Sequence, residues 1–113
     1  MFAAGSATVQ AAAVPLLERI GSALKNESLG TLIAIQVNGY TDNQPIRTVK
    51  FPSNFQLSAS RADAVRDVLK QVIGAGPAIA TEGRADADPI DSNATPEGRE
   101  HNRRIEIVLR RLP

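Results

Sequence analysis

The sequence predicts an α+β domain in which two helices pack on a four-stranded mixed sheet, in the order β-α-β-α-β-(short α)-β. Three observations predict it. Apolar residues recur at helical spacing over residues 11–25 and again from Ser58 to Ile73. Alternating or β-branched runs over residues 31–39, 78–83 and 104–110 have the pattern of strands. The helices fall between strands, as they do when a helical layer covers one sheet. The chain has 113 residues, so a single domain over residues 1–113 is expected.

Each element has a local reason. Phe2-Ala3-Ala4 reads as a short edge strand, closed by the turn signal Gly5-Ser6-Ala7. In the first helix Val14, Leu17, Ile20 or Gly21, and Leu24 form one stripe, Pro15 sits near the start where proline is tolerated, and Asn26 and Gly30 frame the exit. Thr31 to Gly39 places Ile33, Ile35 and Val37 on one face and Leu32, Ala34, Gln36 and Asn38 on the other. Gly39 lets the backbone bend, or lets a ligand approach closely. Residues 43–56 form a long loop with two turn signals, pinned by Phe51 and Phe55; a loop of that length is often functional.

The second helix is read from Ser58, with Ala62, Val65, Leu69 and Val72 inward and Arg66, Asp67, Lys70 and Gln71 outward. Gly74 stops it and Pro77 prevents a restart. Ala78 to Gly83 reads as a strand, and Asp86 to Thr95 as a polar loop. Thr95 caps a short helical turn with Pro96 in its first position. In the last strand Ile105, Ile107 and Leu109 alternate with Arg104, Glu106, Val108 and Arg110. Whether the last two strands are parallel or antiparallel stays open.

Composition narrows the function. Hydrophobic residues make up 42% of the chain, enough for a packed core. The formal net charge of +1 argues against bulk nucleic-acid binding but leaves room for a charged pocket. There is no cysteine, hence no disulfide and no thiolate metal site. No apolar run approaches the roughly 18–20 residues that span a bilayer, so no membrane contact is expected of this segment. Met1 runs directly into strand-like Phe2, so the natural protein is expected to be longer, with any transmembrane anchor N-terminal to this domain.

The charged pair that stands out is Asp42 and Arg61. Asp42 follows the end of a strand, which gives it a rigid support. Arg61 falls at the third position of a helix if Ser58 is the N-cap and Leu57 forms a hydrophobic staple with Ala62. The helix dipole disfavours a cation there. Two readings stand: a surface salt bridge from Arg61 to Asp63 or Asp42, or an anion site whose guanidinium fork holds a carboxylate. Together Asp42 and Arg61 suit a zwitterion, ammonium on one and carboxylate on the other.

Other constellations are weaker. Glu82, Asp86, Asp88 and Asp91, with Ser92 and Asn93, offer oxygen ligands, but the spacing matches no known calcium loop and Pro89 breaks it. No metal and no cofactor is expected. His101 reads as a surface residue beside Glu100, and no catalytic triad or phosphate loop can be assembled. Arg99, Arg103 and Arg104 with Asn102 read as a network bonding the two long loops, with Arg103 or Arg104 available to an anion site.

Several motifs in order resemble one known family. Val37-Asn38-Gly39-Tyr40-Thr41-Asp42 is followed by Asn54-x-x-Leu57-Ser58-x-x-Arg61-Ala62-x-x-Val65, by Glu82-Gly83-Arg84-Ala85, and by Asn93-x-Thr95-x-Glu97-Gly98-Arg99-x-x-Asn102-Arg103-Arg104-Ile105-Glu106-Ile107. This resembles the OmpA-like C-terminal domain. The resemblance implies a non-enzymatic, periplasmic domain, carried by an inner-membrane protein, that binds peptidoglycan without a covalent link. It implies that Asp42 takes the ammonium and Arg61 the carboxylate of diaminopimelate in the stem peptide, with Thr41, Asn54, Leu57 and Ser58 lining the pocket.

Two departures matter. Tyr40 stands where many members have histidine. The loop after Asp42 is longer than usual, and is similar to that of two inner-membrane branches: the MotB stator domain and the tail of the DotU/TssL-type anchor of type VI secretion. The segments after Gly83 and Asn93 are more similar to the secretion anchor. The expected partners are therefore the stem peptide and the subunits of an envelope machine, with a homodimer allowed. The alternatives are a stator anchor, a protein-interaction module with a vestigial pocket, and a wall hydrolase using Asp42 with Glu82 or Asp86.

Overall fold

A computed structural model describes residues 1–3, 5–28, 33–45, 48, 51–74 and 77–111 of the chain. A 3-10 turn at Ala11–Ala13 leads into helix α1 (Val14–Ser28), followed by strand β1 (Ile33–Gly39). Helix α2 (Asn54–Ile73), strand β2 (Ile79–Gly83), helix α3 (Pro96–Asn102) and strand β3 (Ile105–Arg111) complete the order. The expected strand residues Thr31 and Leu32, and Gly30 before them, lie outside the described residues.

β1 is the middle strand. β2 runs parallel to it on one side, from Ile35 opposite Ile79 to Gly39 opposite Gly83. β3 runs antiparallel on the other side, from Ile33 opposite Arg111 to Gly39 opposite Ile105. A parallel pair needs a crossover, and α2 supplies it. The two last strands are therefore not neighbours, and the sheet is mixed as expected.

Among the described residues the sheet has three strands, in the order β2-β1-β3, not the four that were expected. The difference is the N-terminal segment. Phe2 pairs with Val9 in a single antiparallel bridge outside the sheet. Gly5, at φ 66, turns the chain back at once, so the nearest strand partner is local. Ala4 lies outside the described residues.

The N-cap of α2 lies five residues earlier than the sequence reading placed it. Ser53 is the N-cap, with extended backbone, and its Oγ accepts from the Gln56 amide at 3.3 Å. The Ser53 hydroxyl also donates to Gln56 Oε1 at 3.1 Å, at the Ser-x-x-Gln spacing that marks a helix start. Ser58 and Leu57 are thus interior, and the expected staple with Ala62 does not form. Arg61 becomes the eighth helical residue, out of reach of the helix dipole, so the anomaly of a cation in the first turn disappears.

The core lies between α2 and the sheet, with α1 packed beside α2. Leu17 and Leu24 of α1, Ile35 and Val37 of β1, and Ala62, Val65, Leu69 and Ile73 of α2 form one buried cluster. Each large side chain so buried contributes roughly 1.5–3 kcal/mol. Val72 is only half-buried, facing Gly21 of α1. Leu109 shares the face of Ile35, its partner in register, yet is 38% exposed because β3 is an edge strand. Phe51 is buried as expected of a loop anchor, whereas Phe55 is 58% exposed.

Two glycines set how close α2 comes to the sheet. Gly39 and Gly83 stand opposite each other at the ends of the parallel strands. A Cβ on Gly39 would collide with the Ser58 carbonyl oxygen, and one on Gly83 would lie 2.7 Å from the Ala59 nitrogen. It is the helix backbone that approaches Gly39 closely, not a ligand. The first turns of α2 are thereby seated over the strand ends from which the site is built.

Candidate functional site

Asp42 lies three residues beyond the end of β1 and is 6% exposed. Both carboxylate oxygens are engaged. Oδ1 accepts from the Gln44 amide at 2.9 Å, and Oδ2 accepts from Arg103 Nη1 at 2.6 Å. The Arg103 side chain is 40% exposed, so the pair is half-open to water on the cationic side. Thr41, 4% exposed, fixes this corner: its amide donates to the Ala85 carbonyl at 2.7 Å and its hydroxyl to the Asp42 carbonyl at 2.8 Å.

Arg61 projects from α2 and is 4% exposed. It pairs with neither Asp63 nor Asp42. Nε donates to the Ser6 carbonyl at 2.8 Å and Nη2 to the Ala3 carbonyl at 3.2 Å. The Phe2 ring stacks near it, 5.2 Å from Cζ to the ring centroid. Burial first, and the like charge of Arg103 second, hold its pKa below the usual arginine value, while Asp42 opposes them. Asp63 instead accepts from the Thr81 hydroxyl at 2.6 Å and pairs with Arg66 at 3.5 Å.

A cavity of about 240 Å³ opens beside Arg61. Arg61, Arg103, Arg104 and Glu100 supply its charge, and Tyr40, Ile105, Met1 and Phe2 complete the lining. Arg103 is paired with Asp42 and Arg104 with Glu106, each at 2.6 Å, whereas Arg61 is held by main-chain carbonyls. Tyr40, 5% exposed, is its floor: Arg104 stacks on the ring at 3.8 Å and Arg84 lies at 6.0 Å. Burial, then Glu106, raise the Tyr40 hydroxyl above its usual value, so it stays neutral.

The other expected site residues build the walls rather than the cavity surface. The Ser58 hydroxyl, fully buried, donates to the Phe55 carbonyl at 2.8 Å and accepts from the Ala85 amide at 3.1 Å. Asn54 donates to the Gln44 carbonyl at 2.8 Å, bracing the chain after Asp42. Leu57 is buried at 4% exposure. None of these, nor Asp42 and Thr41, is among the cavity-lining residues; Asp42 meets the cavity through Arg103.

Asn102, fully buried, joins the loops. Its Oδ1 accepts from the amides of Ile90 and Asp91, and its Nδ2 donates to the Asp91 carbonyl and to Asn93 Oδ1, all at 2.8–2.9 Å. Asn93 Oδ1 also accepts from the Asn43 amide at 3.3 Å, next to Asp42. Arg99 donates to the Asn93 carbonyl at 3.0 Å, and Arg104 binds Glu106 at 2.6 Å and the Asp88 carbonyl at 2.8 Å. The arginines do bond the loops, as the sequence reading had it, and Arg103 and Arg104 also face the cavity.

The acids once weighed for calcium are dispersed. Glu82 and Asp88 both pair with Arg84, at 3.5 and 3.2 Å, and Asp91 contacts His101 at 2.6 Å. No group of three metal-ligating side chains converges among the described residues. Sequence reasoning missed the part played by Met1, Phe2, Ala3 and Ser6 and by Glu100. For the former no local signal exists, because it depends on where Arg61 ends up in space.

The chain matches the OmpA family over residues 1–103. Peptidoglycan-binding protein ArfA of Mycobacterium tuberculosis is 49% identical over 75 residues, which is 66% of this chain and 22% of that protein. Motility protein B of Bacillus subtilis is 33% identical over 109 residues, 96% of this chain and 41% of that protein. The chain therefore spans less than half the length of either relative. Among solved structures, the cell wall anchor of the T6SS from Pseudomonas aeruginosa superposes with a TM-score of 0.86 at 40% identity, over 100% of this chain and 76% of that one. The periplasmic domain of Helicobacter pylori MotB gives 0.83 at 30% identity, over 96% and 74%. Among the described residues no helix is long and apolar enough to cross a membrane.

Proposed function

The chain belongs to the OmpA family, and from that premise we propose that it is a non-catalytic domain that binds peptidoglycan and anchors an envelope machine to the cell wall. The ligand is the diaminopimelate of the stem peptide, held without a covalent bond. Its ammonium takes the place of Arg103 on Asp42 Oδ2, and its carboxylate is received by Arg61. Thr41, Asn54, Leu57 and Ser58 keep these two groups in position. The domain works in the periplasm, as part of an inner-membrane protein.

The observation that carries this reading is the buried Arg61 guanidinium, 4% exposed, bordering a cavity whose lining holds three arginines and one glutamate. A cation kept out of water next to an open space is costly unless an anion completes it. The relatives support the ligand: one is named for binding peptidoglycan and one structure is a cell wall anchor. They also support the setting. The T6SS anchor, at 40% identity against 30% for the MotB domain, favours a secretion machine over a flagellar stator.

The test is co-sedimentation with purified diaminopimelate-type peptidoglycan, wild type beside Arg61→Ala. Wild type pellets and Arg61→Ala stays in solution, with both showing a cooperative melt. Equal pelleting of the two refutes the pocket. Release of soluble fragments by wild type points to a hydrolase instead.

A further inference from the structure

Two of the charges around the cavity have no ionic partner. Arg103 is held by Asp42 and Arg104 by Glu106, each at 2.6 Å. Arg61 keeps Nε on the Ser6 carbonyl and Nη2 on the Ala3 carbonyl, and makes no ion pair. Its Nη1 carries no hydrogen bond, yet among the described residues no buried side-chain nitrogen or oxygen is without a partner, so Nη1 meets open space. The open space that Arg61 lines is the cavity.

Glu100 is the second such charge. It lines the same cavity from α3, with Arg103 and Arg104 three and four residues further along the chain. On a helix those are the nearest neighbours, where an acid and a base ordinarily pair. Here both arginines turn to other carboxylates, and among the described residues the Glu100 carboxylate has neither an ion pair nor a hydrogen bond. The cavity is thus bordered by one cation and one anion, each without an ionic partner.

We infer that Glu100 determines which anions the cavity accepts: it admits a carboxylate that has an ammonium beside it and turns away one that does not. The inference rests on the peptidoglycan reading above and adds the residue that selects the ligand. A carboxylate on Arg61 Nη1 gains a charge-assisted hydrogen bond. A carboxylate that arrives alone also brings negative charge towards Glu100, which opposes it. An α-amino acid end carries its ammonium on the same carbon, and Glu100 accepts from it. Asp42 is not among the lining residues and stands behind Arg103, which must first yield. Glu100 needs no such displacement, so it screens the ammonium at entry and Asp42 holds it afterwards. Specificity of this kind comes as much from repelling the wrong ligand as from holding the right one. Glu100 is exposed, so water weakens its field, and its charge changes binding by roughly threefold.

The experiment uses Glu100→Gln, which keeps the size of the side chain and removes its charge. The residue is exposed and its carboxylate is unpaired, and glutamine is a good helix former, so the fold is kept. Meso-diaminopimelic acid, and pimelic acid, the same diacid without its amino groups, are titrated against wild type and variant at low and at high salt. Wild type is also sedimented with purified peptidoglycan. The expected result for the variant is roughly threefold weaker binding of diaminopimelic acid and roughly threefold tighter binding of pimelic acid, so the preference falls by about tenfold. Added salt shrinks the change. No preference for diaminopimelic acid in wild type, an unchanged preference in the variant, or an equal change for both ligands overturns the role of Glu100, and the peptidoglycan reading stands if wild type still pellets. A wild type that does not pellet overturns that reading, and the selection with it.

Discussion

Replacing Asp42 by asparagine separates what this residue does for the fold from what it does for a ligand. The change keeps the volume and one carbonyl oxygen and removes the charge. In the free protein Asp42 loses an ion pair to Arg103 at 2.6 Å but can still accept from the Gln44 amide. A charge-assisted hydrogen bond contributes roughly 1.5–3 kcal/mol and a neutral one about 1 kcal/mol. Arg103 is 40% exposed and can return its guanidinium to water, so no buried cation is stranded. The net loss of stability is about 1 kcal/mol, or roughly 4 °C in Tm for a domain of this size.

A bound ammonium has no such escape. Placed between the asparagine and the arginine-lined cavity, it loses the countercharge of Asp42, at about 2–4 kcal/mol, which is roughly thirtyfold to several-hundredfold in Kd. The assay pairs a thermal melt with titration of meso-diaminopimelic acid. A small drop in Tm with a large loss of affinity is expected. Full affinity in Asp42→Asn would show that the carboxylate serves only to hold Arg103, and the zwitterion argument would fail.

Two other expectations concern the frame. Gly39→Ala drives a methyl group into the Ser58 main-chain carbonyl, which cannot rotate away; it should cost about 3 kcal/mol, near the top of the overpacking range, and a melt within a few degrees of wild type would contradict the close seating of α2. The His101 contact, then the Ser92 amide, hold the Asp91 carboxyl below the ordinary 3.8. A carboxyl lowered on folding adds stability above its unfolded value and loses it as pH falls through the folded one. The Tm difference between wild type and His101→Ala should therefore be present at pH 5 and shrink below about pH 4; a difference that grows on acidification would contradict the assignment.

Much of this arrangement could be seen in the chain, and the failures have physical causes. Thr95-Pro96 specified α3 because cap and first-turn proline are local choices with no competitor nearby; the Thr95 hydroxyl accepts from Gly98 at 3.0 Å. α2 was misplaced because two serines qualify as caps. The deciding signal was present: Gln56 stands three residues after Ser53, whereas the residue three after Ser58 is Arg61. Ser58 turned its hydroxyl to Phe55 and Ala85 instead, the second of which is remote in sequence. Asp42 and Arg61 were identified by charge and position, but their present partners were not. Arg103 lies 61 residues from Asp42, and Ser6 lies 55 from Arg61. No periodicity encodes pairings that depend on how three elements converge.

Asn102 has a consequence for how the site breathes. One side chain holds Ile90, Asp91 and Asn93, and Asn93 in turn holds Asn43 beside Asp42. Loops usually open one at a time, each with its own small free energy. Here fraying at the end of α3 would release the acceptor of the Asn43 amide as well. One buried amide thus ties the loop before α3 to the chain that follows Asp42.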